Sequence, residues 1–290
     1  EDLEIWDDKL AGVSTADKIV LLKAVERAAL DYDARVVLAE LPRRLALATV
    51  LAPLALWPAT SGRLMAARWR RAYAAGFVRA AVRPQVLVLL LRGSGKYFCS
   101  GYDISSLAAD TAPSSTYFGD TVDLIEQARP VTIAAINGGV YGGGTDLSLA
   151  CDFRVGVPSA NMFMPAAKLG LHFYPGGMVR YITRLGLNNA KRLFLTCEKI
   201  ESAEMLNIGF LTEIVAPELL LTRVDALSEQ LAGMAPLALL GIKKHLNLIA
   251  RGQLDEAEIR RAVAISEKSN DMKEGALAWK EKRTAKFNGT

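Results

Sequence analysis

Apolar and polar positions along this chain fall into blocks that switch between the strand period and the helix period. The segment Val131–Ile136 is apolar and β-branched, and it reads as a buried strand. Gly142, Gly143 and Gly144 follow, and Leu147, Leu149 and Ala150 then set an apolar-periodic helix start. Glycines at such a strand-to-helix turn permit positive φ and a close approach of backbone to a ligand. They also leave N–H groups open at a helix N-terminus, where the dipole favours negative charge. A turn of this kind suits an oxyanion.

The rest of the chain reads in the same way. Residues 1–33 read as a polar, partly helical extension, with Ser14-Thr15-Ala16-Asp17 capping a helix that carries Ile19, Leu21, Leu22 and Val25. Val36–Leu41 and 45–51 read as strands separated by Pro42-Arg43-Arg44, and 61–82 as a helix rich in Ala and Arg. A strand at 85–91 ends at Arg92-Gly93-Ser94-Gly95, and 98–104 cross a second glycine turn. Residues 105–118 read as a polar loop or weak helix, and 121–128 as a helix stopped by Pro130. Further on, a strand is expected at 153–157, helices at 178–185, 189–196 and 202–208, and a short strand at 213–215. From Pro217 the pattern is helical to the end. The alternation predicts an α/β core followed by a helical appendage, with no internal repeat of solenoid length.

Composition narrows the function classes. Of 290 residues, 51% are hydrophobic and 23% charged, as in an ordinary globule. A net charge of +4 gives no reason to expect nucleic acid as a partner. The three cysteines, Cys99, Cys151 and Cys197, suit reduced thiols in a cytoplasmic protein, and no Cys–His spacing fits a metal site. Pro53 and Pro58 interrupt the apolar stretch 45–57, which is too short to span a bilayer. No basic-then-apolar leader opens the sequence, so no membrane association or export is expected.

Three motifs in order add a resemblance. Lys96-Tyr-Phe-Cys-Ser-Gly-Tyr-Asp-Ile104 resembles an F-C-[AS]-G-x-D-[IL] turn, and Asn137-Gly-Gly-Val-Tyr-Gly-Gly-Gly-Thr-Asp146 an N-G-x-x-x-G-G-G-x-E segment. The third, Ala276-Leu-Ala-Trp-Lys-Glu-Lys-Arg-Thr-Ala-Lys-Phe287, is similar to a closing helix. All three belong to the crotonase (enoyl-CoA hydratase/isomerase) superfamily, which the chain resembles from about Arg83 onward. The resemblance implies a spiral of ββα units with a C-terminal helical appendage, assembled as a homo-trimer or dimer of trimers. It divides the chain into an extension (1–33), a spiral core (34–220) and a helical oligomerisation region (221–290). It implies an acyl-CoA substrate and no cofactor beyond the coenzyme A of that substrate.

Carried over by motif, the two oxyanion amides fall on Tyr102 and Gly143. The CoA contacts fall on the backbone at Ser100, Gly101, Asp103 and Gly142, with Trp279 beside a neighbouring subunit's CoA. Lys282 and Arg283 fall where cations meet the CoA phosphates. The N-terminal part departs from the family, because Thr49-Val-Leu-Ala-Pro53 keeps a proline but lacks the expected Asn and Arg.

The proton-transfer groups depart too. Hydration uses one carboxylate to activate water and another to deliver a proton. Asp146 stands at the first position, one methylene shorter than glutamate, and Ala166 at the second, where a methyl group moves no proton. Asp146 is either a proton carrier or a carboxylate that complements the helix dipole. His172, on the loop after Ala166, is either a second proton carrier or a histidine bonded to its own loop backbone. The expected activity is thioester-enolate chemistry of the hydratase/isomerase type, with decarboxylation or hydrolysis, or CoA binding without turnover, as alternatives.

Overall fold

The computed structural model describes residues 19–22, 36–41, 45–52, 86–93, 95–101 and 115–290, the first three segments and residues 115–117 by backbone alone. The chain enters through β1 (Ile19–Leu22), β2 (Val36–Leu41) and β3 (Leu45–Ala52), which pair antiparallel in succession. A unit of two strands and a helix then recurs three times. The first is β4 (Val86–Gly93), β5 (Tyr97–Cys99) and α1 (Ser115–Glu126). The second is β6 (Val131–Ile136), β7 (Gly139–Tyr141) and α2 (Gly143–Ala150). The third is β8 (Phe153–Gly156), β9 (Asn161–Phe163) and, after a 3-10 turn at Ala167–Leu169, α3 (Pro175–Leu185).

Beyond these lie α4 (Leu187–Thr196), β10 (Ile200–Glu201), α5 (Ser202–Asn207) and β11 (Glu213–Ile214). The chain closes with α6 (Leu220–Ala232), α7 (Pro236–Ala250), α8 (Glu256–Glu267) and α9 (Asn270–Glu281). In each unit the first strand joins a seven-stranded sheet ordered β1-β2-β3-β4-β6-β8-β11, and the second joins a four-stranded sheet ordered β10-β9-β7-β5. The steps β3–β4, β4–β6, β6–β8 and β8–β11 are parallel.

Burial explains why the central strands show no alternation. Every residue from Val86 to Leu91 and from Val131 to Ile136 is buried. Parallel strands covered on both faces read as continuous apolar runs. Helix α6 packs on β3, β4, β6 and β8. Its buried Leu220, Val224, Leu227 and Leu231 recur at helical spacing along one stripe. Helix α2 is buried from Gly144 to Ala150 and packs on β5 and β7.

Most expected elements stand where the periodicity puts them, with three corrections. Ile19–Leu22 is a strand paired with β2, not part of a helix. Four apolar residues fit either period, and pairing decides between them. Helix α1 begins at Ser115, ahead of the start expected at Thr121 and inside the stretch expected as a polar loop or weak helix. The three-residue strands β5, β7 and β9 went unread, because a run that short carries no period-2 signal. The helix expected at 61–82 lies outside the described residues. Part of the expected 1–33 extension, β1, joins the large sheet.

Candidate active site

The site forms where β5 and β7 end and α2 begins. Gly142 caps α2 with φ 54° and ψ −126°, a backbone conformation closed to residues with a side chain. Its N–H donates to the Phe163 carbonyl at 3.0 Å, which ties the turn to β9. Its own carbonyl accepts from the Thr145 N–H (3.0 Å) and the Thr145 hydroxyl (2.6 Å). The Thr145 hydroxyl also meets the Tyr181 hydroxyl at 2.5 Å, fixing the first turn of α2 to α3.

The second glycine turn comes to the same place. Gly101 has φ +99°, and a Cβ there would lie 3.2 Å from the Tyr141 carbonyl oxygen and 3.9 Å from the Gly142 Cα. Conversely, a Cβ on Gly142 would lie 3.7 Å from the Gly101 Cα. The two bends therefore touch, backbone to backbone. Gly143 is the first residue of α2 and is partly exposed, while the helix behind it is buried. First-turn N–H groups have no acceptor within their own helix. Gly143, beside the junction of the two turns, carries one of these N–H groups at the positive end of the helix dipole. Tyr102 and Asp103 follow Gly101 directly and lie outside the described residues.

Asp146 sits one turn further into α2 and is fully buried. Arg180 of α3 donates to both its oxygens, Nε to Oδ1 at 2.8 Å and Nη2 to Oδ2 at 2.6 Å. The Tyr174 hydroxyl adds a third donor to Oδ2 at 2.7 Å. The same guanidinium reaches Asp123 (2.5 Å) and Glu126 (3.2 Å) of α1 through Nη1. Arg251, which caps the end of α7, closes on Asp123 and Glu126, and Arg184 meets Glu126 at 3.1 Å. Three carboxylates and three guanidinium groups thus balance in one network that joins α1, α2, α3 and α7.

Burial raises the Asp123 carboxyl, but hydrogen bonds from Arg251 and Arg180 outweigh it and hold the group below its ordinary value. Burial first, and the Asp146 charge second, push the Tyr174 phenol upward, so it stays protonated and donating. Burial drives the Cys99 thiol up to about 12, which fits a small packed hydrophobe rather than a nucleophile. Its side chain stands against Gly144, where a Cβ would lie 2.6 Å from the Cys99 Cβ.

The remaining expected residues divide. Gly101, Gly142, Gly143 and Asp146 come together around the start of α2. Ala166 is buried and follows Pro165, whose Cδ lies 4.0 Å from a Cβ placed on Gly142. The position one residue beyond Pro165 thus carries a methyl group rather than a carboxylate. His172 is exposed, and its Nδ1 meets the Phe173 carbonyl at 2.8 Å. Ser100 is exposed at the end of β5. Trp279, on α9, is 88% exposed. Lys282 caps that helix, and Arg283 bonds Glu274 and Glu281 within the same C-terminal segment.

Sequence reasoning missed Arg180, Asp123, Glu126 and Arg251. One signal was available. Asp123 and Glu126 stand three residues apart on α1, and Arg180 and Arg184 four apart on α3, so each pair shares a helix face. Tyr174 is the hydroxyl donor to Asp146.

Comparison with known proteins places this geometry. The model of the Enoyl-CoA hydratase/isomerase family matches residues 70–290. A carnitinyl-CoA dehydratase of Proteus mirabilis (strain HI4320) is 30% identical over 224 residues, 73% of this chain and 85% of that protein. A crotonyl-CoA hydratase of Syntrophomonas wolfei is 32% identical over 216 residues, 70% of this chain and 81% of that protein. Among solved structures, an enoyl-CoA hydratase from Bacillus anthracis superposes with TM-score 0.73 at 26% identity, covering 88% of this chain and 99% of that one. Pseudomonas aeruginosa DspI superposes with TM-score 0.72 at 26% identity, covering 96% and 100%. The expected ββα spiral with a helical C-terminal region holds.

Proposed function

Because the chain belongs to the enoyl-CoA hydratase/isomerase family, we propose that its two glycine turns form an oxyanion hole for a thioester enolate in an acyl-CoA-processing enzyme of lyase or isomerase type. The observation that carries this is the contact between Gly101 and Gly142, which brings two strand-ending bends together beside Gly143, the first residue of α2. The thioester carbonyl accepts hydrogen bonds from the Gly143 and Tyr102 N–H groups. Charge that forms on that oxygen as the α-carbon loses a proton is then held by fixed donors, each worth about 3 kcal/mol of barrier.

Of the two proton carriers expected, Asp146 has both oxygens engaged by Arg180 and Tyr174, which supports an anchoring role. His172 keeps Nε2 open as an acceptor when Nδ1 donates to Phe173. Ala166, in place of a second carboxylate, favours decarboxylation or hydrolysis as the second reading. The substrate supplies the only coenzyme in this reading.

The assembly is a homo-trimer or dimer of trimers in the cytoplasm. Exposed Ile242, Leu246, Val263, Ile265 and Trp279 on α7, α8 and α9 support association through these helices. Among the described residues no helix is long and apolar enough to cross a membrane.

The test is a panel of acyl-CoA thioesters followed for hydration, double-bond shift, carbon dioxide and free CoA. The expected result is turnover of at least one thioester, with a downshifted carbonyl stretch in the bound state. Tight CoA binding with an unshifted carbonyl and no product would instead identify a binding protein. His172→Gln is expected to lower turnover while leaving thioester affinity within about twofold, read as kcat against KM.

A further inference from the structure

Arg180 has no solvent exposure, and every nitrogen of its guanidinium is engaged. Nε and Nη2 grip the two oxygens of Asp146, while Nη1 reaches Asp123 and Glu126. Apolar side chains of the same volume would often stabilise a fold as well or better than such a buried cluster. A bidentate pair of planar groups supplies something else, because it fixes distance and angle at once.

The elements this side chain ties together are those that bound the Gly143 turn. Helix α3 carries Arg180 itself. Helix α2 begins at Gly143 and carries Asp146 three residues on, within the same turn. Helix α1 carries Asp123 and Glu126, and its Phe118 ring packs on the turn, since a Cβ built on Gly143 would lie 2.7 Å from the ring's Cε1. Gly142, the N-cap, has no side chain with which to bond the first turn of α2. Thr145 and Asp146 hold that turn instead, and both bond to α3 or its N-cap. Thr145 meets the Tyr181 hydroxyl at 2.5 Å, and Asp146 accepts from Arg180 and from Tyr174, the N-cap of α3.

We propose that Arg180 is a positioning residue for the reaction. Through its fork on Asp146 it sets where the first turn of α2 stands against the Gly101 turn, and with it the direction in which the Gly143 amide donates. This rests on the reading of that amide as a donor to the thioester carbonyl. It makes Asp146 an anchor and not a proton carrier. A donor misplaced by about 1 Å costs about 100-fold in rate.

The experiment binds butyryl-CoA, labelled with carbon-13 at the carbonyl, to the full chain and to three variants, and records the carbonyl stretch by infrared difference spectroscopy. Turnover is measured alongside, on the thioester the wild type accepts. Arg180→Lys keeps the charge but presents no planar fork. Asp146→Asn keeps the size of the side chain but offers the guanidinium one oxygen in place of two. Leu227→Ala, on the buried stripe of α6, lowers stability without touching the network. The wild type is expected to show a downshifted stretch. In Arg180→Lys and Asp146→Asn the stretch returns most of the way to its value in free butyryl-CoA, and kcat falls about 100-fold with KM within about threefold. Leu227→Ala keeps the wild-type stretch and kcat. Wild-type stretch and kcat in Arg180→Lys overturn the proposal. So does Asp146→Asn that loses turnover with its stretch unmoved, because that is the signature of a proton carrier. A stretch that moves as far in Leu227→Ala also overturns it, since loss of stability alone would then account for the change. If Arg180→Lys does not fold, the stretch in Asp146→Asn decides by the same criteria. An unshifted carbonyl in the wild type removes the oxyanion reading itself, whereas a shifted wild type with unmoved variants removes the role of Arg180 alone.

Discussion

Asp146 shows how a residue's chemistry depends on what meets it. As the carboxylate after three glycines it was legible in the sequence as a candidate proton carrier. The structure surrounds it with three donors and no solvent. A buried carboxylate in that setting depends on its donors, and removing the guanidinium leaves a buried polar group without its partner. Arg180→Met is therefore expected to destabilise the fold by about 3–5 kcal/mol, read from urea unfolding. Tyr174→Phe removes one hydrogen bond to a charged group and is expected to cost about 1.5–3 kcal/mol. If Tyr174→Phe proves the costlier of the two, the ion pair is not what holds Asp146. The partner was illegible because Arg180 lies 34 positions away in sequence, and no local spacing links an α2 carboxylate to an α3 guanidinium.

At the scale of elements, the long buried strands and the helices declared themselves, whereas the small sheet did not. Val131–Ile136 is apolar throughout because both its faces are covered. Gly139–Tyr141 has three residues, too few to show alternation, and its glycine reads as turn chemistry. Yet that strand sets the site, because it delivers Gly142 against Gly101. The packing of β5 on α2 is equally close at Gly144, where a methyl group would meet Cys99 at 2.6 Å. Gly144→Ala is expected to lower stability by about 1–3 kcal/mol through overpacking. It should also displace the start of α2, so thioester affinity should fall with it. A Gly144→Ala protein with unchanged unfolding midpoint would mean that β5 and α2 are separated more widely than the structure shows. Helices α1 and α3 are coupled through Asp123, Glu126, Arg180 and Arg184. Their acid and base spacings were visible singly, but which helix faces which is a property of the fold.

Over the whole molecule, stability responds to pH at the acid end through Asp123. Asp123 is the informative group, since its folded value lies below the ordinary carboxylate value of about 3.9. A depressed folded value means that the unfolded chain binds the proton more readily. The contribution is thus fully present above the unfolded value and is lost as pH falls through the folded one. Tyr174 and Cys99 shift the opposite way, upward, both chiefly from burial. Their contributions are complete below the unfolded thiol and phenol values, about 8.5 and 10, and are lost as pH rises beyond them. Melting temperature should therefore hold level across neutral pH and fall on both sides. Arg251 is the strongest of the hydrogen-bonding groups that lower Asp123, so Arg251→Met should lower the melting temperature across neutral and alkaline pH, where Asp123 is charged, and by less and less as pH falls through the Asp123 range, so that the two profiles converge in acid. Thermal melts of the two proteins from pH 2 to pH 11 check this. An equal drop at every pH, acid included, would mean that Arg251 acts by packing, since lost packing lowers stability at every pH whereas a lost ion pair does so only where its carboxylate is charged.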